Sequence, residues 1–150
     1  MNNKQYPAWW NDTITIYNKF EDPLTNLITW YRHTIEGCFV KNANNVVTVG
    51  NVTLQTNNVI VRIREDENYR NYRTWITIPN DLRGDYFTLA PNDFIVFDEV
   101  TDTIDEYTRN ERSNDVLSKY QKLGIAMLID TFQENIGDER VNPHYFVSGE

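Results

Sequence analysis

Leu27-Ile28-Thr29-Trp30-Tyr31-Arg32-His33-Thr34-Ile35-Glu36-Gly37-Cys38-Phe39-Val40-Lys41 decides the fold. It is rich in the β-branched and aromatic residues that fit a pleated surface. Ile28, Trp30, Arg32, Thr34, Glu36, Cys38 and Val40 fall on one parity, with Tyr31, His33, Ile35 and Phe39 on the other. The stretch is therefore one long strand or two. Gly37 inside it marks a bulge or bend, the device by which small closed barrels turn a strand around a corner.

Working outward, Thr13-Ile14-Thr15-Ile16-Tyr17 alternates β-branched residues and precedes Asp22-Pro23, a short strand running into a turn. Residues 42–45 are expected as a loop. Residues 46–54 and 59–63 are expected as a hairpin around Gln55-Thr56-Asn57-Asn58, since Asn tolerates positive φ. The charged tract 65–73 reads as an exposed loop, and Thr74-Trp75-Ile76-Thr77-Ile78 resumes strand character until Pro79 stops it. A short apolar strand, Phe94-Ile95-Val96-Phe97, is followed by a second long charged loop or mobile hairpin over 98–112.

One helix stands out at about 113–123. Ser113 can act as N-cap, Asp115 suits the positive end, Val116, Leu117, Tyr120 and Leu123 share a face, and Gly124 can end it. Residues 125–133 and 141–148 then pair as a C-terminal β-hairpin around Asn135-Ile136-Gly137-Asp138. The fold class expected is mainly β: a small closed or partly open barrel with one short helix. Neither repeats nor Pro/Gly/Ser linkers divide the chain, so residues 1–150 form one domain with a short N-terminal arm, 1–12.

Composition narrows the function. In 150 residues, 40% are hydrophobic and 13% aromatic, enough for a core and against global disorder. Twenty-two acidic against 14 basic side chains give a formal net charge of -8, which repels phosphate and argues against tight DNA binding. The one cysteine, Cys38, excludes an internal disulfide and reads as a small buried hydrophobe. The N-terminal residues lack a signal-peptide pattern and the longest apolar run, 125–129, is too short to span a bilayer, so no membrane partner is expected. The Asn11 and Asn51 sequons are chance matches in an Asn-rich chain.

Catalysis usually recruits His, Cys, paired carboxylates or a phosphate-cradling glycine loop. His33 and Glu36 lie at an odd separation in a strand, on opposite faces, as do His33 and Cys38. His144 near Asp138 and Glu139 could hold a cation weakly, although acidic turns commonly carry solvated charge. With 6 glycines, no G-x-G-x-x-G, Walker or G-x-S-x-G pattern occurs. No catalytic, cofactor-binding or metal residues are assigned, and no enzyme is expected. The residues left without an internal explanation are of interface type: Trp9, Trp10, Tyr69, Tyr72, Arg73, Tyr107, Arg109 and Arg112. Trp9 and Trp10 either fold back over one end of the barrel, the slightly favoured reading, or anchor on a neighbouring subunit.

Several segments resemble the small neck proteins of tailed bacteriophages, the head-tail connector or head-closure components. They are Thr13 to Phe20, Thr29 to Lys41, Pro91-Asn92-Asp93-Phe94-Ile95-Val96-Phe97, and the ending Asp138-Glu139-Arg140 with Pro143 to Gly149. The chain departs from the shorter family pattern in its two charged loops, and at Asp93, where a Gly-Asp pair is usual. The resemblance implies a virion protein assembled in the bacterial host cytoplasm, with copies of itself forming a ring between portal or adaptor and tail proteins, through which DNA passes. The alternative is a small non-enzymatic binding module, for host interaction or for a peptide laid along a barrel edge strand. An acidic-site hydrolase using Asp98, Glu99, Asp138 or Glu139 is the weakest reading, because nothing in the sequence brings these carboxylates together.

Overall fold

The computed structural model describes residues 6–50, 52–136 and 142–150, with backbone alone for 43–49 and 52–57. Six strands close into a barrel: β1 (Asp12–Glu21), β2 (Ile28–Val49), β3 (Val52–Arg64), β4 (Phe94–Val96), β5 (Ala126–Asn135) and β6 (His144–Gly149). Their order around the barrel is β1-β2-β3-β6-β5-β4, and every neighbouring pair is antiparallel. Two three-stranded meanders, β1-β2-β3 and β4-β5-β6, are thus sealed along β1–β4 and β3–β6. The mainly β, closed-barrel expectation and the C-terminal hairpin both hold.

Gly37 explains how β2 serves two sides of the barrel. The β1–β2 register passes from Ile14↔Ile35 to Asp12↔Cys38, a bulge at which Gly37 takes φ +73°. Without that extra residue Ile35 and Cys38 would point to opposite faces. With it, both lie in the barrel interior with Ile14, Ile16, Val61, Ile63, Ile95, Met127, Ile129, Tyr145 and Val147. Full burial of each large aliphatic side chain contributes about 1.5–3 kcal/mol.

The hairpin reverses elsewhere than expected. Residues 42–45 and 55–58 are not a loop and a turn; they pair with one another, from Asn42↔Val59 to Val49↔Val52, and the chain reverses at Gly50, φ +62°. Glycine adopts positive φ at lower cost than Asn, and its position sets the register. Beyond Val59, which also pairs with Gly149, this stretch is a two-stranded ribbon extending from the barrel.

Residues 65–93 connect the two meanders across one end of the barrel. Phe87 and Leu89 from this crossover are fully buried and fill the interior from that end. The tract 65–73 is no free loop: Tyr69 bridges to Phe87, and its ring packs on Phe87 and Tyr145. Residues 74–78 are not a strand. They belong to a helical turn, α1 (Tyr72–Trp75), and its continuation. Asn71 Oδ1 accepts from Thr74 N–H at 3.0 Å, capping the turn. The buried guanidinium of Arg83 donates to the carbonyls of Trp75, Ile76 and Ile78, the groups a strand would have offered to a neighbour. Arg83 also donates to Asn80 Oδ1 (2.6 Å) and Tyr31 Oη (3.1 Å), and lies 3.6 Å from the Phe20 ring centroid. Local β propensity thus yields to one buried cation satisfied by carbonyls and rings.

A second core lies outside the barrel. Tyr17, Phe94, Val96 and Ala126 face outward from β1, β4 and β5 and are covered by Val116 and Tyr120 of α2 (Ser113–Lys122). The helix starts at Arg112 rather than Ser113 as cap residue. Asp115 accepts from Arg112 N–H at 3.2 Å, and Glu106 accepts from Ser113 N–H at 2.6 Å. Gly124, φ +74°, follows its end as expected, whereas Leu123 is 66% exposed and outside the buried face. Residues 98–112 form a strap over the same side. Thr15 Oγ1 donates to Asp98 O (2.7 Å) and accepts from Val100 N–H, while Tyr17 Oη donates to Asp102 O (2.7 Å).

Candidate functional site

The eight residues singled out from sequence do not form one surface. Trp10 is 4% exposed, tucked among Tyr6, Phe39 and His144, and its carbonyl accepts from Arg64 Nη2 at 2.9 Å. Residues 6–10 of the arm thus pack back against the barrel, Trp10 inward; residues 1–5 lie outside the described residues. Tyr69 is half-buried, its hydroxyl donating to Glu134 Oε1 at 2.7 Å, and desolvation pushes its pKa up. Tyr72 and Arg73 are exposed on α1. Tyr107 is 61% exposed, with its hydroxyl accepting from Ile28 N–H at 3.0 Å, and Arg109 and Arg112 are exposed on the strap. Trp9, 58% exposed, is the tryptophan of the pair left facing outward.

Trp9 is one end of a continuous line of ring contacts on the outer face of β2, β3 and β6. Its ring meets Phe39 edge-on at 4.8 Å between centroids. Phe39 pairs across the sheet with Arg62, and Arg62 with Phe146. The Arg62 guanidinium carbon lies 5.8 Å from the Phe39 centroid and 5.5 Å from that of Phe146. Such a stack holds a cation in a fixed place without neutralising it. Arg62 makes no ion pair among the described residues. Sequence reasoning missed Arg62 and Phe146 because the three residues become neighbours only once the β2–β3 and β3–β6 registers are known. The outward parity of Arg62 and Phe146 was the available signal, whereas Phe39 shares the parity of the interior Ile35 and faces outward only because of the Gly37 bulge.

Two other features bear on chemistry. Asp93, buried at 3% exposure, accepts from Asn18 Nδ2 (2.9 Å) and Lys19 N–H (3.1 Å), and Asn18 is itself bonded to both Thr88 O and Thr88 N–H. This node ties β1 to the crossover; burial pushes the Asp93 carboxyl up to about 7, against the bonds from Asn18 and Lys19. It borders a concavity of about 350 Å³ lined by Lys19, Glu21, Tyr72, Leu89, Asn92 and Phe132. Cys38 is fully buried and its thiol is pushed up to about 12 by desolvation, the reverse of an activated nucleophile. His33 packs on Phe87 at 5.0 Å, and burial lowers its pKa. Among the described residues, no three His, Cys, Asp or Glu side chains converge to hold a metal. Asp138 and Glu139, considered beside His144, lie outside those residues; His144 bonds to Asn142 O and Asn135.

A family model matches residues 9–150, from the exposed Trp9 through the last strand. This chain belongs to DUF6751, a family of unknown function. Comparison with curated proteins and with solved structures returns no match. For DUF6751 the closed barrel, its plugged interior and the Trp9–Phe39–Arg62–Phe146 line are therefore the features from which function must be argued.

Proposed function

We propose that this DUF6751 protein is a non-enzymatic structural subunit that assembles with copies of itself into a closed ring in the neck of a tailed bacteriophage, between portal and tail, with DNA passing through the ring. The observation that carries the reading is the outward line of Trp9, Phe39, Arg62 and Phe146 on a rigid barrel. Aromatics and Arg dominate interface hot spots, and a sheet face holds them in fixed register. The segments resembling neck proteins support the same reading. A net charge of -8 suits a lumen that does not grip phosphate.

Mass photometry of the purified protein, alone and with the portal protein, together with cryo-imaging of the products, tests this. Closed rings of one size are expected, seated on the portal when it is present. Isolated monomers under both conditions overturn it. A second reading, a monomeric binding module, draws on the concavity beside Asp93. Peptide addition along a strand would have to use the stretches paired on one side only, such as the β2–β3 ribbon beyond Val59 and the part of β1 beyond its three pairs with β4. A monomer that captures one partner, and loses it on Tyr72→Ala, would favour that module.

A further inference from the structure

We infer that the Trp9–Phe39–Arg62–Phe146 face of one subunit docks on the acidic strap, residues 98–112, of a second copy of this chain, head to tail. The inference rests on the ring reading above and names the two surfaces that meet.

The placement follows from the topology. Around the barrel β3 and β4 are separated by two strands in either direction, β1-β2 one way and β5-β6 the other, so they lie on opposite sides. Arg62 is on β3. The strap leaves from the end of β4 and is pinned to the outer side of β1 by the Thr15 and Tyr17 bonds and to the start of β2 by Arg32, which donates to Thr101 O, and Ile28 N–H, which donates to Tyr107 Oη; Phe39 lies at the far side of the Gly37 bulge from these contacts. Two different surfaces on opposite sides of one subunit are what a heterologous contact requires, and a series of such contacts closes into a ring when the rotation permits.

The charges complement each other. Residues 98–112 contain six acids, Asp98, Glu99, Asp102, Asp105, Glu106 and Glu111, against two bases, Arg109 and Arg112. Four accept hydrogen bonds within the subunit: Asp98 from Glu99 N–H (2.8 Å), Asp102 from Lys119 Nζ (2.9 Å) and Tyr120 Oη, Asp105 from Thr108 Oγ1, and Glu106 from Ser113 N–H. Asp98, Glu99 and Glu111 are exposed and make no ion pair among the described residues. On the opposite side, the stacked Arg62 guanidinium and the exposed Lys41, two residues beyond Phe39 on the same strand parity, present positive charge. A guanidinium held between rings loses little freedom on accepting a carboxylate, so it acts as a preformed anchor, with Trp9 excluding water beside it.

Charge reversal tests this on the full chain, with circular dichroism confirming that each variant is folded. Arg62→Glu, and separately Glu99→Arg with Glu111→Arg, are expected to weaken self-association by about tenfold or more. Mixing the two variant proteins restores assembly, because each wild-type surface then meets its wild-type partner and the reversed surfaces match one another. Arg73→Glu, on α1 and outside both surfaces, leaves association unchanged. Rings of unaltered stability with Arg62→Glu, or variants that fail to rescue each other on mixing, overturn the docking assignment while leaving the ring reading in place. A wild-type protein monomeric with and without portal overturns both.

Discussion

Asp93 shows how one buried side chain couples stability to pH. Its folded-state pKa, about 7, lies above the ordinary 3.8, so the folded protein takes up a proton between those values. Its contribution is fully present below the unfolded value and is lost as pH rises through 7, by up to roughly 4 kcal/mol. His33 acts in the opposite sense: its pKa is lowered from 6.5, so stability falls as pH drops through that value. Chemical denaturation of wild type and Asp93→Asn from pH 4.5 to 8 separates the two effects. The wild type should lose stability toward pH 8 relative to the variant, and parallel profiles would exclude Asp93 as the source. Gly37 makes a steric prediction. A Cβ there would sit at positive φ and 2.8 Å from Arg64 Nε, whose guanidinium bonds Gly37 O (2.8 Å) and Trp10 O. Gly37→Ala should cost about 2–3 kcal/mol in urea unfolding, from backbone strain plus disturbance of those bonds. Gly37 was legible in the sequence as a bend; Asp93 was noted only for its place in a familiar segment, since its environment depends on Asn18, 75 residues away.

At the level of elements, the strands with clear alternation and the helix with a clear apolar face were readable, and the crossover was not. Residues 74–78 have strand-like composition, yet the carbonyls of Trp75, Ile76 and Ile78 go to Arg83 and the Trp75 ring is fully buried. A single-sequence reading has no view of a cation arriving from outside the segment. The ribbon was misplaced for a related reason: the Asn residues at 42–45 and 55–58 suggested turns, while the chain reverses between Val49 and Val52, where Gly50 takes positive φ. Trp75 tests the importance of the crossover. Its indole N–H donates to Tyr86 O at 3.3 Å, and its ring meets Phe20 and Tyr31. Trp75→Ala should destabilise the protein by about 3–5 kcal/mol, seen as a large drop in thermal midpoint. A change under about 1 kcal/mol would mean that the crossover packs loosely and does not support the barrel end.

For the molecule as a whole, a closed barrel was legible from strand spacing and the glycine bend, while the strand order was not, because sealing β1 to β4 and β3 to β6 joins residues far apart in sequence. The interface candidates divide in the same way. Trp10 proved buried and Tyr69 half-buried once residues 6–10 and the crossover were seen to pack back, whereas Arg62 and Phe146 emerged only from register. The barrel interior is filled by its own side chains, with Phe87 and Leu89 at one end. Any passage for DNA must therefore lie between copies rather than through one.

The placement of β3 and β4 on opposite sides also has a mechanical meaning. A pull applied across the barrel between them is divided over two routes, each of three hydrogen-bonded ladders in series. In both routes the shortest ladder is at β4, which has only three residues and three register pairs on either flank. The strap and α2 lie over that weak seam, so the outer layer is placed where tension would first open the sheet.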